Sequence, residues 1–216
     1  MRSRRSTHLL VMAKAPVPGQ VKTRLIPSFG AQGAAAIARA ALCDTLDAVD
    51  ACAATRRIVA VAGAPLPTGV GAGCEVLAQR GETFNDRLAA AWAHAGAPGL
   101  QIGMDTPQVT PALLDAALAQ LVDGPDDAVL GLATDGGWWA IGFRRPIPGA
   151  FAGVPMSADD TGARQLARLR ALGVRVGLLP ELRDMDRPED VAAIAADHPH
   201  LRVAREAAIR ADRVRA

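Results

Sequence analysis

The chain has no tyrosine, and aromatic residues make up only 3% of its 216 residues. A chain of this length can bury a sizeable core. That core must be built from Leu, Val, Ile and Ala, with helices packing closely. No apolar run approaches the roughly 18 residues of a membrane span. Charge of neither sign is in excess: 24 basic against 22 acidic residues gives a formal net charge of +2. A nucleic-acid partner, which calls for a concentrated basic face, is not expected. Cysteine is scarce. Cys43, Cys52 and Cys74 are odd in number and lack a CxxC spacing, which excludes a disulfide framework and points to reduced thiols in a cytoplasmic protein. No His lies in a motif that would make one of them a nucleophile. The basic start Met1–His8 is followed by Leu9 to Ala13 only, too short for a signal-peptide core. The phosphate-loop pattern GxxxxGK[ST] is also missing, since Gly19 is followed by Gln20. No repeat or linker divides the chain, so one domain over residues 1–216 is expected.

What is present centres on Leu100-Gln-Ile-Gly-Met-Asp-Thr-Pro-Gln108. Leu100 to Met104 reads as a buried strand. It stops at Asp105, because Pro107 and Pro111 cannot continue a ladder. A helical pattern follows from Pro111 to Val122. One carboxylate thus stands at the C-terminal end of a strand that leads into a helix, the edge where open α/β sheets bind ligands. An oxygen ligand there suits Mg²⁺ or Mn²⁺, which in turn hold phosphate oxygens. A capping role for Asp105 in a turn remains an equal alternative.

Leu9 to Ala13 reads as a first, fully buried strand. The loop Lys14-Ala-Pro-Val-Pro-Gly-Gln-Val-Lys-Thr-Arg-Leu25 follows. Its prolines and Gly19 fix bends, and Lys14, Lys22 and Arg24 gather charge suited to a di- or triphosphate. A solvated basic turn is the alternative. Gly30 to Cys52 is an Ala-rich helical pattern broken only by Gly33. Strands are expected at 57–62 and 74–78, a helix at 86–95, and a strand at 126–133. Thr134-Asp-Gly-Gly-Trp-Trp-Ala-Ile-Gly-Phe143 then turns and runs back. Its paired glycines permit a tight turn, and its neighbouring tryptophans face opposite ways, one to the core and one to a cleft. A helix over 159–172 should bury Leu166, Leu169 and Leu172, and a late strand spans 174–179. Asp184 and Asp186 share one face in extended chain, ahead of a strong helix start at Pro188. Taken alone they read as surface charges. The basic tail from Leu201 is helical in pattern and should fray or pack loosely. Strands alternating with helices favour a three-layer α/β fold.

Four stretches together resemble one family: residues 13–25, Ile102-Gly-Met-Asp-Thr-Pro107, Asp135-Gly-Gly-Trp-Trp139 and Asp184-Met-Asp-Arg-Pro-Glu-Asp190. They resemble the bacterial DUF2064 family of glycosyltransferase-A-like proteins, in the nucleotide-diphospho-sugar transferase superfamily. The likeness covers about residues 8–197. It implies a Rossmann-like GT-A fold with a mostly parallel, mixed central sheet that binds a nucleotide through its phosphates and a divalent metal. Lys14, Pro18, Gly19, Lys22, Thr23 and Arg24 would form the nucleotide-binding loop. Asp105 and Asp186 would hold Mg²⁺ or Mn²⁺, with Asp184 as substitute. Asp135 and Lys22 would be catalytic, and Gly136, Gly137 and Trp138 would face the acceptor. The chain departs from the family at Gly81-Glu-Thr-Phe-Asn-Asp86, where a Gly-Asp-Leu-Gly-like run is usual, and at Trp138, where Tyr is frequent.

This resemblance implies a metal-dependent transferase acting on a nucleotide-activated sugar and a small-molecule acceptor, with Asp135 as general base. A nucleotidyltransferase that releases pyrophosphate from an NTP keeps the fold and moves the bond. A non-catalytic nucleotide-binding protein is the third expectation.

Overall fold

The computed structural model describes residues 6–215, with side chains to residue 210. Most of the basic start, Met1–Arg5, and the last arginines of the tail lie outside the described side chains. Strand β1 (His8–Lys14) leads through a 3-10 turn at Thr23–Leu25 into helix α1 (Ile26–Ala51). Next come β2 (Arg56–Ala62), β3 (Glu75–Ala78), α2 (Phe84–Ala95), β4 (Gly99–Gly103) and α3 (Pro111–Asp123). The chain closes with β5 (Ala128–Ala133), β6 (Trp138–Phe143), α4 (Thr161–Ala171), β7 (Val176–Leu182), α5 (Pro188–Asp197) and α6 (Arg202–Arg215). No described helix is long and apolar enough to cross a membrane.

The strands form a seven-stranded sheet in the order β3-β2-β1-β4-β6-β5-β7. All neighbouring pairs are parallel except those of β6, which runs against both β4 and β5. The expected mostly parallel, mixed sheet is thus observed. Because successive side chains alternate between faces, Leu9, Val11 and Ile102 pack beneath α1 and α3, while Leu10, Met12 and Ile58 pack beneath α2 and α4. Burial on both faces explains why these strands read as continuous apolar runs. The edge strand β7 extends to Leu182 rather than ending at 179 and accommodates Pro180, as an edge can.

Several expectations are corrected. Helix α1 begins at Ile26, and its break falls at Gly30 (φ 68°, ψ 166°) instead of Gly33. Gly33 is helical and buried, with Phe29 against the place a Cβ would take. Alanine is abundant in α1 because the helix is covered on two sides, by the sheet and by α5 and α6. Leu172 lies beyond α4 and is exposed rather than sharing the buried face of Leu169. The basic tail does not hang loose. Val203 is fully buried, and Asp44 of α1 accepts hydrogen bonds from the Arg202 and Val203 amides at 3.1 and 3.0 Å. Asp44 thereby caps the first turn of α6 from another helix.

Candidate active site

The site is assembled along the C-terminal ends of the parallel strands. β4 ends before Asp105, whose carbonyl accepts the Met185 amide at 2.8 Å. This bond lays the segment after β7 against the end of β4. Met185 is fully buried among α1, α5 and α6, so alternation turns Asp184 and Asp186 to the opposite side, toward Asp105. Asp190, in the first turn of α5, accepts from the Arg187 amide at 2.9 Å and holds the far end. Carboxylate oxygens of Asp105, Asp184 and Asp186 come within 4.8 Å of one another. The reading of Asp184 and Asp186 as plain surface charges is therefore set aside: all three acids are partly buried.

Into this cluster the loop after β1 sends Lys22. Its Nζ lies 2.7 Å from Asp105 Oδ1 and 2.8 Å from Asp186 Oδ1, and its side chain is 6% exposed. Lys22 adopts left-handed backbone angles (φ 44°, ψ 48°), a strain of about 1–2 kcal/mol for a residue with a Cβ. The ion pairs offset it. Arg24 reaches Asp186 Oδ2 at 2.6 Å from the exposed side.

The electrostatics show a shortage of positive charge. Burial works against the charge on Lys22, but Asp105, Asp184 and Asp186 outweigh it and hold its pKa above the ordinary value. Burial also opposes ionisation of Asp186, yet Lys22 and Arg24 keep its pKa below the usual range. For Asp184, burial and then the charge of Asp105 push the pKa up to about 8, despite Lys22. Three converging acids, one of whose carboxyls is pushed up by burial and by the charge of its neighbours, fit a divalent cation held by oxygen ligands.

The cluster floors a cleft of about 920 Å³. Of the residues expected to form the site, Lys14, Arg24, Asp105, Asp135, Gly137, Trp138 and Asp186 line it. Lys22 sits beneath the acids. Pro18, Gly19, Thr23 and Gly136 are not among its lining residues. Gly136 instead packs under the 157–162 segment: at φ 88°, a Cβ would fall on the Asp159 carbonyl. Asp135 Oδ1 accepts the Gly137 amide at 2.8 Å, leaving its other oxygen for the cleft. Of the two tryptophans, Trp139 enters the core and donates to the Pro180 carbonyl at 2.9 Å, while Trp138 lines the cleft. Arg87, Arg183 and Arg187, together with Gln79, Phe84 and Gln101, also line it and were not anticipated. Arg183 and Arg187 flank the acidic pair in sequence, which is a usable signal. Gln79, Arg87 and Gln101 carry none.

A family model described as "uncharacterized protein conserved in bacteria (DUF2064)" matches residues 34–158. The chain belongs to the DUF2064 family. Phosphoenolpyruvate guanylyltransferase of Streptosporangium roseum is 32% identical to this DUF2064 protein over 185 residues, 81% of this chain and 79% of the relative. Among solved structures, a protein assigned as a nucleotide-diphospho-sugar transferase from Desulfovibrio desulfuricans G20 superposes with a TM-score of 0.84. It is 24% identical and covers 96% of this chain and 97% of its own. Rv0371c of Mycobacterium tuberculosis H37Rv, solved as a complex with manganese, superposes with a TM-score of 0.50. It is 18% identical and covers 88% of this chain and 98% of its own. These two structural likenesses bear on the fold, and they match the GT-A-like architecture.

Proposed function

We propose that this DUF2064 protein is a divalent-metal-dependent nucleotidyltransferase, moving a guanylyl group from GTP to a phosphate-bearing small acceptor with release of pyrophosphate. The observation that carries the reading is the buried Lys22 between Asp105 and Asp186, at the floor of a cleft also lined by Lys14, Arg24, Arg87, Arg183 and Arg187. So many cations around an acid cluster suit a triphosphate and an anionic acceptor together. The guanylyltransferase relative supports the choice of base and bond.

In this reading Asp105 and Asp186, with Asp184, hold Mg²⁺ or Mn²⁺. The ion, when bound, supplies charge for the phosphate oxygens and for the departing pyrophosphate. Lys22 and Arg24 share that charge from the protein side, and Lys14 meets the phosphate chain at the end of β1. The amides around Pro18, Gly19 and Thr23 shape the loop that presents these cations. Asp135, through its free oxygen, orients the acceptor, and Trp138 and Gly137 form the acceptor wall behind the turn at Gly136. A phosphate acceptor is already a nucleophile, so Asp135 here positions the acceptor; base catalysis is required of it only for a hydroxyl. The three cysteines are free, which fits a cytoplasmic setting.

The test is pyrophosphate release from each NTP with Mg²⁺ or Mn²⁺ and a panel of phosphorylated acceptors, including phosphoenolpyruvate. Turnover with GTP is expected, and Asp105→Asn should lose about three orders of magnitude while melting near the wild type. Nucleoside diphosphate released from an NDP-sugar, with no pyrophosphate from any NTP, would overturn the reading in favour of glycosyl transfer. Nucleotide binding without turnover across the panel would leave a binding protein.

A further inference from the structure

The acids divide the cleft into two arms. One runs toward Asp135 and Trp138. The other runs over the ends of β1, β2 and β3, beneath the first turn of α2, and nothing so far gives it a role. It is lined by Gln79, Phe84 and Gln101. The Gln79 amide nitrogen donates to the carbonyls of Ala13 and Ala60, both at 3.0 Å. A flipped amide would set three carbonyl oxygens against one another, so the orientation is fixed. Gln79 Oε1 is left without a protein donor among the described residues and is open to the cleft.

The loop carrying Gln79 is held firmly. Its own amide bonds the Val61 carbonyl at 2.9 Å. Gly81, at φ 131°, lies so close to Asp86 that a Cβ would approach its Cβ to 2.5 Å. Thr83 and Asp86 close a reciprocal cap on α2. Asn85 donates to the Phe151 and Val154 carbonyls at 2.7 and 2.9 Å. On β4, Gln101 is 1% exposed and its Oε1 has no partner. Phe84 is 43% exposed at the rim of the cleft. A fixed acceptor, a buried unpaired amide and an open aromatic face together suit a flat heterocycle with an N–H edge.

We infer that this arm is the nucleobase subsite and that Gln79 is its specificity-determining residue. Gln79 Oε1 accepts from the N1–H and 2-amino edge of guanine, while Phe84 stacks on the ring. The inference rests on the nucleotidyltransferase reading and names how its base is chosen. Inosine keeps N1–H and lacks the 2-amino group, and adenine turns an acceptor to the same place.

Dissociation constants for GTP, ITP and ATP, measured by calorimetry with Mn²⁺, test it. The wild type should favour GTP over ITP and ATP by about 10- to 100-fold. Gln79→Leu should bring the three within a few-fold of one another, with GTP losing most affinity, ITP less and ATP little. Phe84→Ala should weaken all three together, by about 5-fold or more, and leave their ratios intact. A wild type that binds GTP and ITP equally overturns the inference whether or not Gln79→Leu folds, and so does a Gln79→Leu variant that keeps the wild-type ratio; either leaves the nucleotidyltransferase reading standing. A wild type that binds no nucleotide sinks both.

Discussion

Replacing Lys22 with methionine keeps the stem and removes the charge from the acid cluster. The three carboxylates have oxygens within 4.8 Å of one another. Two unit charges at that spacing interact by about 3.5 kcal/mol at an effective dielectric of 20. Breaking a buried ion pair by deleting one partner costs about 3–5 kcal/mol. The Asp105 and Asp186 side chains are 34% and 30% exposed, so water screens them and the lower end applies. Arg24 still pairs with Asp186, and Asp105 is left bearing most of the loss. A destabilisation of about 3 kcal/mol lowers the melting temperature by about 6–12 °C for a chain of this length. The assay is a thermal melt of wild type and Lys22→Met at pH 7, in EDTA and in millimolar Mn²⁺. The variant should melt lower in EDTA and gain more from Mn²⁺ than the wild type, since a divalent ion takes up the same uncompensated charge. Equal melting in EDTA, or an equal Mn²⁺ gain in both proteins, would refute the claim that Lys22 is the internal counter-charge of these acids.

His8 supplies a pH test away from the site. It is 3% exposed, its Nε2 has no hydrogen-bond partner, and it meets the edge of Trp92 at 5.2 Å. Burial, and then Arg56, lower its pKa from 6.5 to about 4. The unfolded chain therefore takes up a proton first as pH falls, and His8 should withdraw about 3 kcal/mol of stability between pH 6.5 and 4. Urea melts across this range should show that loss in the wild type, and His8→Leu should lack that part of the slope. Asp44→Ala should cost about 1–2 kcal/mol as a lost cap and speed hydrogen exchange in α6; unchanged exchange there would contradict the docking role of Asp44.

Much of the scaffold was legible because it follows local rules. Strands buried on both faces are apolar without alternation, and Leu9–Ala13 and Leu100–Met104 show it. Pro188 with Glu189 and Asp190 marks a helix start that the structure shows at that point. The position of Asp105 at a strand end was readable from the prolines that follow it. What could not be read depends on contacts between distant segments. Two glycines were available for the break: Gly30 takes the positive φ, while Gly33 stays helical with Phe29 against it. The docking of α6 depends on Asp44, far away in sequence. The convergence of Asp184 with Asp105 depends on Met185 being drawn into a core formed by three helices. Gln79 is one polar residue at the end of an edge strand, and its two carbonyl partners belong to other strands.

Lys22 and Asp186 touch across 164 positions of sequence. During synthesis, a nascent chain that has completed β1 through β7 still lacks the last clasp, because the acid that closes it comes afterwards. Competence to bind a charged ligand there is therefore acquired only once the segment after β7 has been made. A ligand seated there bridges early and late parts of the polypeptide, so it would brace the whole molecule against unfolding and not merely one loop.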